Sequence, residues 1–309
     1  MPAMTSLRDL RFPTPDPTIA TVAVSAPELG DGFWAGGPSA AVDDDGTVWL
    51  ACRLRRPVGE GRGYAVVIAH SDDGAHFEER LRLERDEFRC DSLERPTLVR
   101  RPDGGWRLYL SLATPDTLHW RVVALDADRP SDFAAADVVE VLDGGPDLAY
   151  KDPVVRPGAD GWEMWVCLHM VADPGVADAM TTVHATSSDG IDWNLTGTAL
   201  APTSTSTWDR RGTRIAAVID VGPSQIAFYD GRADASENWE ERTGVAVLGD
   251  DGTFVPAGDE PFATSPEGSG SLRYVDAIEV AEGMRLYYEA AAADGSHHLL
   301  TQLVARPTG

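Results

Sequence analysis

Five times along the chain, a short apolar run passes through a turn into an aromatic run, at nearly constant spacing. The segments are GPSAAVDDDGTVWLACR, RPTLVRRPDGGWRLYLS, DPVVRPGADGWEMWVCL, TRIAAVIDVGPSQIAFYD and YVDAIEVAEGMRLYYEA. Their turn glycines, Gly46, Gly104, Gly161, Gly222 and Gly283, lie 58, 57, 61 and 61 residues apart. Eight residues before each stand Pro38, Pro96, Pro153, Arg214 and Val275, so the incoming strand keeps its length. Val, Ile, Trp and Tyr dominate these runs and long amphipathic helical patterns are almost absent, which points to an all-β chain. The period is too long for the common small repeats and fits four strands per unit.

A second echo supports that count. Ser71-Asp-Asp-Gly-Ala-His-Phe77 and Ser187-Ser-Asp-Gly-Ile-Asp-Trp193 share one form, and each follows its unit's turn glycine by about 27 residues. A tight Asp-Gly turn with an aromatic beneath it is a hairpin device, so both are read as structural. Five four-stranded antiparallel sheets around an axis make a five-bladed β-propeller spanning residues 1–309 as one domain. The blades are expected near 33–90, 91–145, 146–205, 206–265 and 266–305. The last unit supplies three strands, 272–280, 284–292 and 297–305, so the strand-like Ile19–Val24, within 18–25, is expected to complete it and close the ring. A pair of β-sandwiches would not explain five even units.

In such a ring the starts of the first strands meet at one mouth of the central channel, the usual place for binding. Aligned on the turn glycine, those starts are Gly36-Gly37, Glu94-Arg95, Lys151-Asp152, Gly212-Thr213 and Arg273-Tyr274, with Asp209, Arg210 and Arg211 just upstream of the fourth. The second strands end at Arg53, His169, Asp230-Gly231-Arg232 and Glu289. Charge on buried inner strands needs a partner or a function. Of 26 basic residues a single one is lysine, Lys151, and it falls in this set. Glycosyl transfer needs one carboxylic acid and one carboxylate in different environments. Asp152, Glu94, Asp209 and Asp230 are the expected supply, with Trp34, Tyr150, Trp208 and Trp239 as platforms for sugar rings. Lys151, Arg95, Arg211, Arg232, Arg273, Tyr274, Trp34, His169 and Glu289 are expected to bind substrate. Several guanidiniums converging on a pocket, Arg53 among them, suit an anionic sugar. The competing account is a set of interblade salt bridges.

The repeat, SLERPTLV, YKDPVV and the SxDGxxW turn resemble the five-bladed propeller glycoside hydrolases of families 43, 32 and 130 and their relatives, over roughly residues 30–305. YKDP at 150–153 is similar to the Arg-Asp-Pro motif of family 32, which implies a transition-state role for Asp152. FYDGR at 228–232 resembles a blade motif of the mannoside phosphorylases. The chain departs from families 43 and 32 in two places. GFWAGGPS occupies the first blade, where they carry an essential Asp, and Lys151-Asp152 occupies the third, where they carry a Glu. The expected function is glycosidase-like action on a small saccharide or glycoconjugate. The alternatives are phosphorolysis, elimination or isomerisation in the same cleft, or a propeller that binds a carbohydrate or protein without catalysis.

The remaining features narrow the setting. Acidic residues number 50 against 26 basic, a net charge of −24, which disfavours nucleic acid and anionic membranes as partners. Cys52, Cys90 and Cys167 are far apart and read as reduced thiols; with no secretory signal in MPAMTSLRDLRFPTPDPT, a cytoplasmic location is expected. His297-His298 reads as a strand tip, and Asp43-Asp44-Asp45-Gly46 as a hairpin turn. No cofactor is expected, and no motif supports a calcium ion on the axis. Glu240 or Glu241, in ENWEERTG, is an outside candidate for the acid.

Overall fold

The computed structural model describes residues 13–158, 160–203, 205–222 and 224–305. The first twelve residues of the stretch read above for a signal lie outside them. Strand β1 (Thr21–Val24) precedes the first repeat. The first unit comprises β2 (Trp34–Val42), β3 (Val48–Arg55), β4 (Gly63–Ser71) and β5 (Glu78–Glu84), and the second β6 (Thr97–Arg100), β7 (Trp106–Ala113), β8 (Trp120–Ala127) and β9 (Val139–Leu142). The third holds β10 (Leu148–Gly158), β11 (Gly161–Met170), β12 (Thr181–Ser187) and β13 (Asn194–Leu200). The fourth holds β14 (Gly212–Val221), β15 (Ser224–Arg232), β16 (Arg242–Leu248) and β17 (Phe254–Pro256). The fifth has β18 (Leu272–Val280), β19 (Gly283–Ala291) and β20 (His297–Ala305), and β1 pairs antiparallel with β20. Within each unit, consecutive strands pair antiparallel. A single parallel pair, Trp34 with His297, joins the fifth unit to the first.

Alternation of side chains gives every sheet two apolar faces, and these faces are matched in cyclic order. One buried layer lies between units one and two (Leu50's neighbour Ala51, Ile68, Leu98, Trp106) and another between two and three (Tyr109, Val155, Met164). Trp165 and Ile215 share the layer between three and four, and Phe228 and Leu286 that between four and five. Leu50 and Tyr287 share a fifth layer, between the last unit and the first. The inner strands touch in the same order, β2 to β6, β10, β14, β18 and back to β2. Side chains stitch them: Leu98 N–H donates to Ser39 Oγ at 3.0 Å, and Ala40 N–H to Asp276 Oδ2 at 2.6 Å.

The two Ser-x-Asp-Gly turns are built alike. In each, the serine Oγ accepts the glycine N–H at 2.9 Å, and the Asp Oδ1 accepts the next two N–H groups. Gly74 and Gly190 take the left-handed conformation, φ 68° and 76°, that such turns require. A tyrosine of an adjacent unit then pins each glycine carbonyl: Tyr287 Oη donates to Gly74 and Tyr109 Oη to Gly190, at 2.8 and 2.7 Å. Phe77 and Trp193 meet those same tyrosines edge to face. These turns fasten neighbouring sheets.

One irregularity recurs where the inner strands begin. Gly37, Asp152 and Tyr274, each nine residues before its turn glycine, have φ of 59°, 55° and 54°, and each coincides with a shift of pairing register. A left-handed non-glycine residue costs on the order of 1–3 kcal/mol. Here it is offset by hydrogen bonds: Asp152 N–H donates to Ser111 Oγ and Tyr274 N–H to Asp230 Oδ1, both at 2.8 Å. The bulges turn the strand starts toward the centre of the molecule.

Candidate active site

At that centre a chain of buried ion pairs runs through all five units. Arg53, on β3, binds Glu94 and, through Nη2, Glu289 Oε2 at 3.0 Å. Arg273, at the start of β18, gives Nε and Nη2 to Glu289 Oε1, at 2.9 and 2.7 Å, and Nη1 to Glu241 Oε2 at 2.7 Å. Arg232, ending β15, reaches the other oxygen of Glu241 at 2.8 Å. A second limb is built on Arg214 of β14, which bridges Asp152 Oδ2 (2.9 Å) and Asp230 Oδ2 (2.8 Å). Tyr274 lies beneath that guanidinium, 4.0 Å from ring centre to Cζ, and its hydroxyl approaches Asp152 at 3.4 Å. Lys151 Nζ stands 3.8 Å from Asp152 and 5.3 Å from the centre of the Trp120 ring.

Five carboxylates sit in this cluster, and they are not equivalent. Burial pushes Glu94 up, but Arg53, then Lys151 and Arg55, outweigh it and hold the carboxyl down at about 2. The same contest, won by Arg273 with its neighbours, keeps Glu241 and Glu289 below the usual carboxylate range. Asp230 goes the other way: burial raises it, Arg214 only partly compensates, and Glu241 adds to the rise. Glu94 is also the one with solvent contact, at 6% exposed against 0–1% for the other four. His169 is held neutral, far below its ordinary value, by burial and by the charges of Lys151 and Arg232.

Of the sequence-predicted residues, Glu94, Lys151, Asp152, Asp230, Arg232, Arg273, Tyr274 and Glu289 meet here, with Arg53. Arg95 is alongside: its backbone N–H donates to Asp152 Oδ1 at 3.2 Å, while its Nε binds the Pro38 carbonyl. His169 abuts Cys167 and the Ala177 carbonyl.

Asp209 is a correction. It lies in the turn before β14, packed against Gly231 and accepting the Tyr229 hydroxyl at 2.7 Å, so it faces the interior of its own unit. Arg211 is another: it forms a fork with Asp178, with distances of 3.0 and 2.5 Å, in a half-buried position outside the cluster. Trp34 is no open platform, because its ring carries Arg55 at 3.8 Å and stacks on His297 at 4.3 Å. Tyr150 and Trp208 are buried as well, whereas Trp239 is 37% exposed. His297, read as a strand tip, is buried, and its Nδ1 lies 2.8 Å from Glu289.

Sequence reasoning passed over Arg214 as a site residue and ranked Glu241 low. The signal for Arg214 was present: it occupies the repeat position held by proline in the first three units. Glu241 sits in an aperiodic loop, which offered no such register.

The first unit brings no carboxylate of its own, and Gly36 explains why none fits. A Cβ built there would lie 1.7 Å from Glu289 Oε2. Glu289, arriving from β19, fills the space. The guanidiniums interleaved among these carboxylates already neutralise them, and no group of His, Cys, Asp or Glu among the described residues is arranged to hold a metal ion. Two open cavities lie elsewhere. One of about 470 Å³ follows the seam between β1 and the first unit, and one of about 510 Å³ lies among Asp116–His119, Pro146 and Val171.

No protein-family model matches the chain, and no curated protein matches it in sequence. The fold, however, is shared with solved glycoside hydrolase-like proteins. A glycosyl hydrolase from Bacteroides ovatus superposes with a TM-score of 0.64 at 15% identity, covering 96% of this chain and 97% of that one. An α-L-arabinofuranosidase from Lactobacillus brevis gives 0.64 at 15% identity, over 90% and 92%. The β-1,2-mannobiose phosphorylase of Listeria innocua, in complex with β-1,2-mannobiose, gives 0.61 at 14% identity, over 89% and 90%. At these identities the likeness is one of fold.

Proposed function

We propose that the protein is a five-bladed β-propeller, closed by β1 on β20, that acts on a glycosidic bond of a small saccharide at the mouth of its central cluster. The cyclic order of the apolar layers and of the inner strands supports the ring. One observation carries the chemistry: two carboxyl groups of one cluster are driven in opposite directions, Glu94 toward the ionised form and Asp230 toward the protonated one. Such a divided pair is what glycosyl transfer asks for. Glu94, at the solvent edge, serves as the carboxylate that activates the acceptor or meets the sugar. Asp230 is assigned the proton for the leaving oxygen; its Oδ2 accepts from Arg214 and its Oδ1 from the Tyr274 N–H, so Arg214 must move aside for that proton to be passed on. Water or phosphate takes the glycosyl group. The free, buried cysteines suit the reducing compartment assumed for it.

The test is turnover of a panel of disaccharides, with and without inorganic phosphate, by wild type, Glu94→Gln and Asp230→Asn. Loss of turnover in both variants with binding retained supports the assignment. Full activity in either removes that residue from it.

A second reading has one observation in its favour. Every cluster carboxylate is tied to a guanidinium, and all but Glu94 are sealed from solvent. In that case the network holds the ring together and the mouth binds a saccharide without cleaving it. Wild-type binding with no turnover under either condition would decide for it.

A further inference from the structure

The guanidiniums of Arg53, Arg214, Arg232 and Arg273 each hold at least one carboxylate, but Arg55, the last residue of β3, holds none among the described residues. It is 2% exposed, and its Nη1 is sealed from solvent without a hydrogen-bond partner. The guanidinium is packed over two rings, its Cζ 3.8 Å from the centre of Trp34 and 4.7 Å from that of Trp239. Burial and then Arg53 pull its pKa down to about 10, which leaves it a cation at neutral pH. Two aromatic faces attract a cation, but they cannot supply the in-plane acceptors that a buried guanidinium needs.

The cover over Arg55 is itself unusual. Trp239 is a bulky residue at φ 76°, a left-handed conformation that such residues rarely adopt. It is more than a third exposed, and its N–H donates to Glu241 Oε1 at 3.3 Å, so its loop is fastened to the central cluster. Trp34, beneath, is locked by His297 and Arg273. Of the two rings, Trp239 is the one that reaches solvent.

We propose that Arg55 anchors the carboxylate of an acidic saccharide and that Trp239 is the lid over it, turning aside to stack on the sugar ring. This rests on the saccharide-site reading above and names its substrate class. The N–H groups of a guanidinium point in its plane, so an anion engages it there, where a planar carboxylate makes the two-pronged contact. The freed indole face then lies beside the ring that carries the carboxylate.

The experiment is calorimetric titration of the full chain with D-glucuronate, D-galacturonate, a methyl glucoside and inorganic phosphate, alongside tryptophan fluorescence. A sugar acid should bind more tightly than the neutral glucoside and change the fluorescence. Arg55→Met should weaken that binding roughly tenfold or more, the scale of a charged hydrogen bond. Trp239→Phe should bind within a few-fold of wild type and lose the fluorescence change. Should Arg55→Met fail to fold, Arg55→Lys, which keeps the charge and loses the fork, must still weaken the sugar acid. Equal binding by wild type and the Arg55 variant overturns the proposal. So does a lack of preference for sugar acids over the glucoside, or phosphate binding as tightly as either acid. Because binding is read without turnover, acids that bind uncleaved would sink the enzymatic reading alone. Turnover of neutral saccharides in preference to the matching sugar acids would sink this proposal alone.

Discussion

Glu289 occupies the space that a side chain at Gly36 would need, its Oε2 lying 1.7 Å from where the Cβ would be. The inner strand of the first unit is therefore bare so that the second strand of the fifth can deliver its carboxylate to Arg53 and Arg273. Gly36→Ala must push that carboxylate or the strand aside. The expected cost is about 1–3 kcal/mol, as for other overpacked cores. Gly59→Ala, at a site with open space around it, should stay within about 0.5 kcal/mol of wild type. Urea unfolding of both variants checks the contrast.

Among the described residues, Arg214 is the sole guanidinium bridging Asp152 and Asp230. Arg214→Met would leave Asp230 without its closest cation and Asp152 with Lys151 alone, 3.8 Å away. A loss of about 3–5 kcal/mol is expected, since removing one partner of a buried pair strands the other. Retention of wild-type stability would mean the limb is wetter or looser than described.

Acid should unpick the other limb. Glu289 and Glu241 are held below the usual carboxylate range, so their stabilisation is complete above the unfolded value near 4.5 and is lost as pH falls toward their folded values. Glu289→Gln should therefore be less stable than wild type at pH 7, with the gap closing as pH drops through 4 toward 3. A gap that stays constant over that range would contradict the assigned direction. Asp230, raised by burial, acts with the opposite sign, losing stability as pH rises past its unfolded value.

The two turn-pinning tyrosines offer a milder test. Tyr109→Phe and Tyr287→Phe each remove one buried hydroxyl bond to a glycine carbonyl. Each should cost about 1 kcal/mol. The pair serves two different sheet interfaces, so the double variant should lose the sum to within about 0.5 kcal/mol.

What could be read from the sequence was what repeats. The glycines at 46, 104, 161, 222 and 283 mark hairpins because such turns need φ values that other residues avoid, and that constraint survives drift in everything around it. The same register lined up Glu94, Lys151-Asp152 and Arg273-Tyr274, which do meet. The errors came where no period applies. Asp209 and Arg211 flank the start of β14, and a turn can aim a side chain in any direction. Trp239 and Glu241 share a loop whose path is set by contacts with Arg55, Arg232 and Arg273, which are distant in sequence. His297 could not be placed without knowing that β20 lies beside β2.

Glu94→Gln is the variant that tests the central claim most directly, measured as turnover of a saccharide the wild type cleaves, beside binding of that saccharide. The account predicts a loss of roughly 100-fold or more in rate, the scale of a missing acid–base group, with affinity changed only a few-fold. Equal rates in Glu94→Gln and wild type would contradict it.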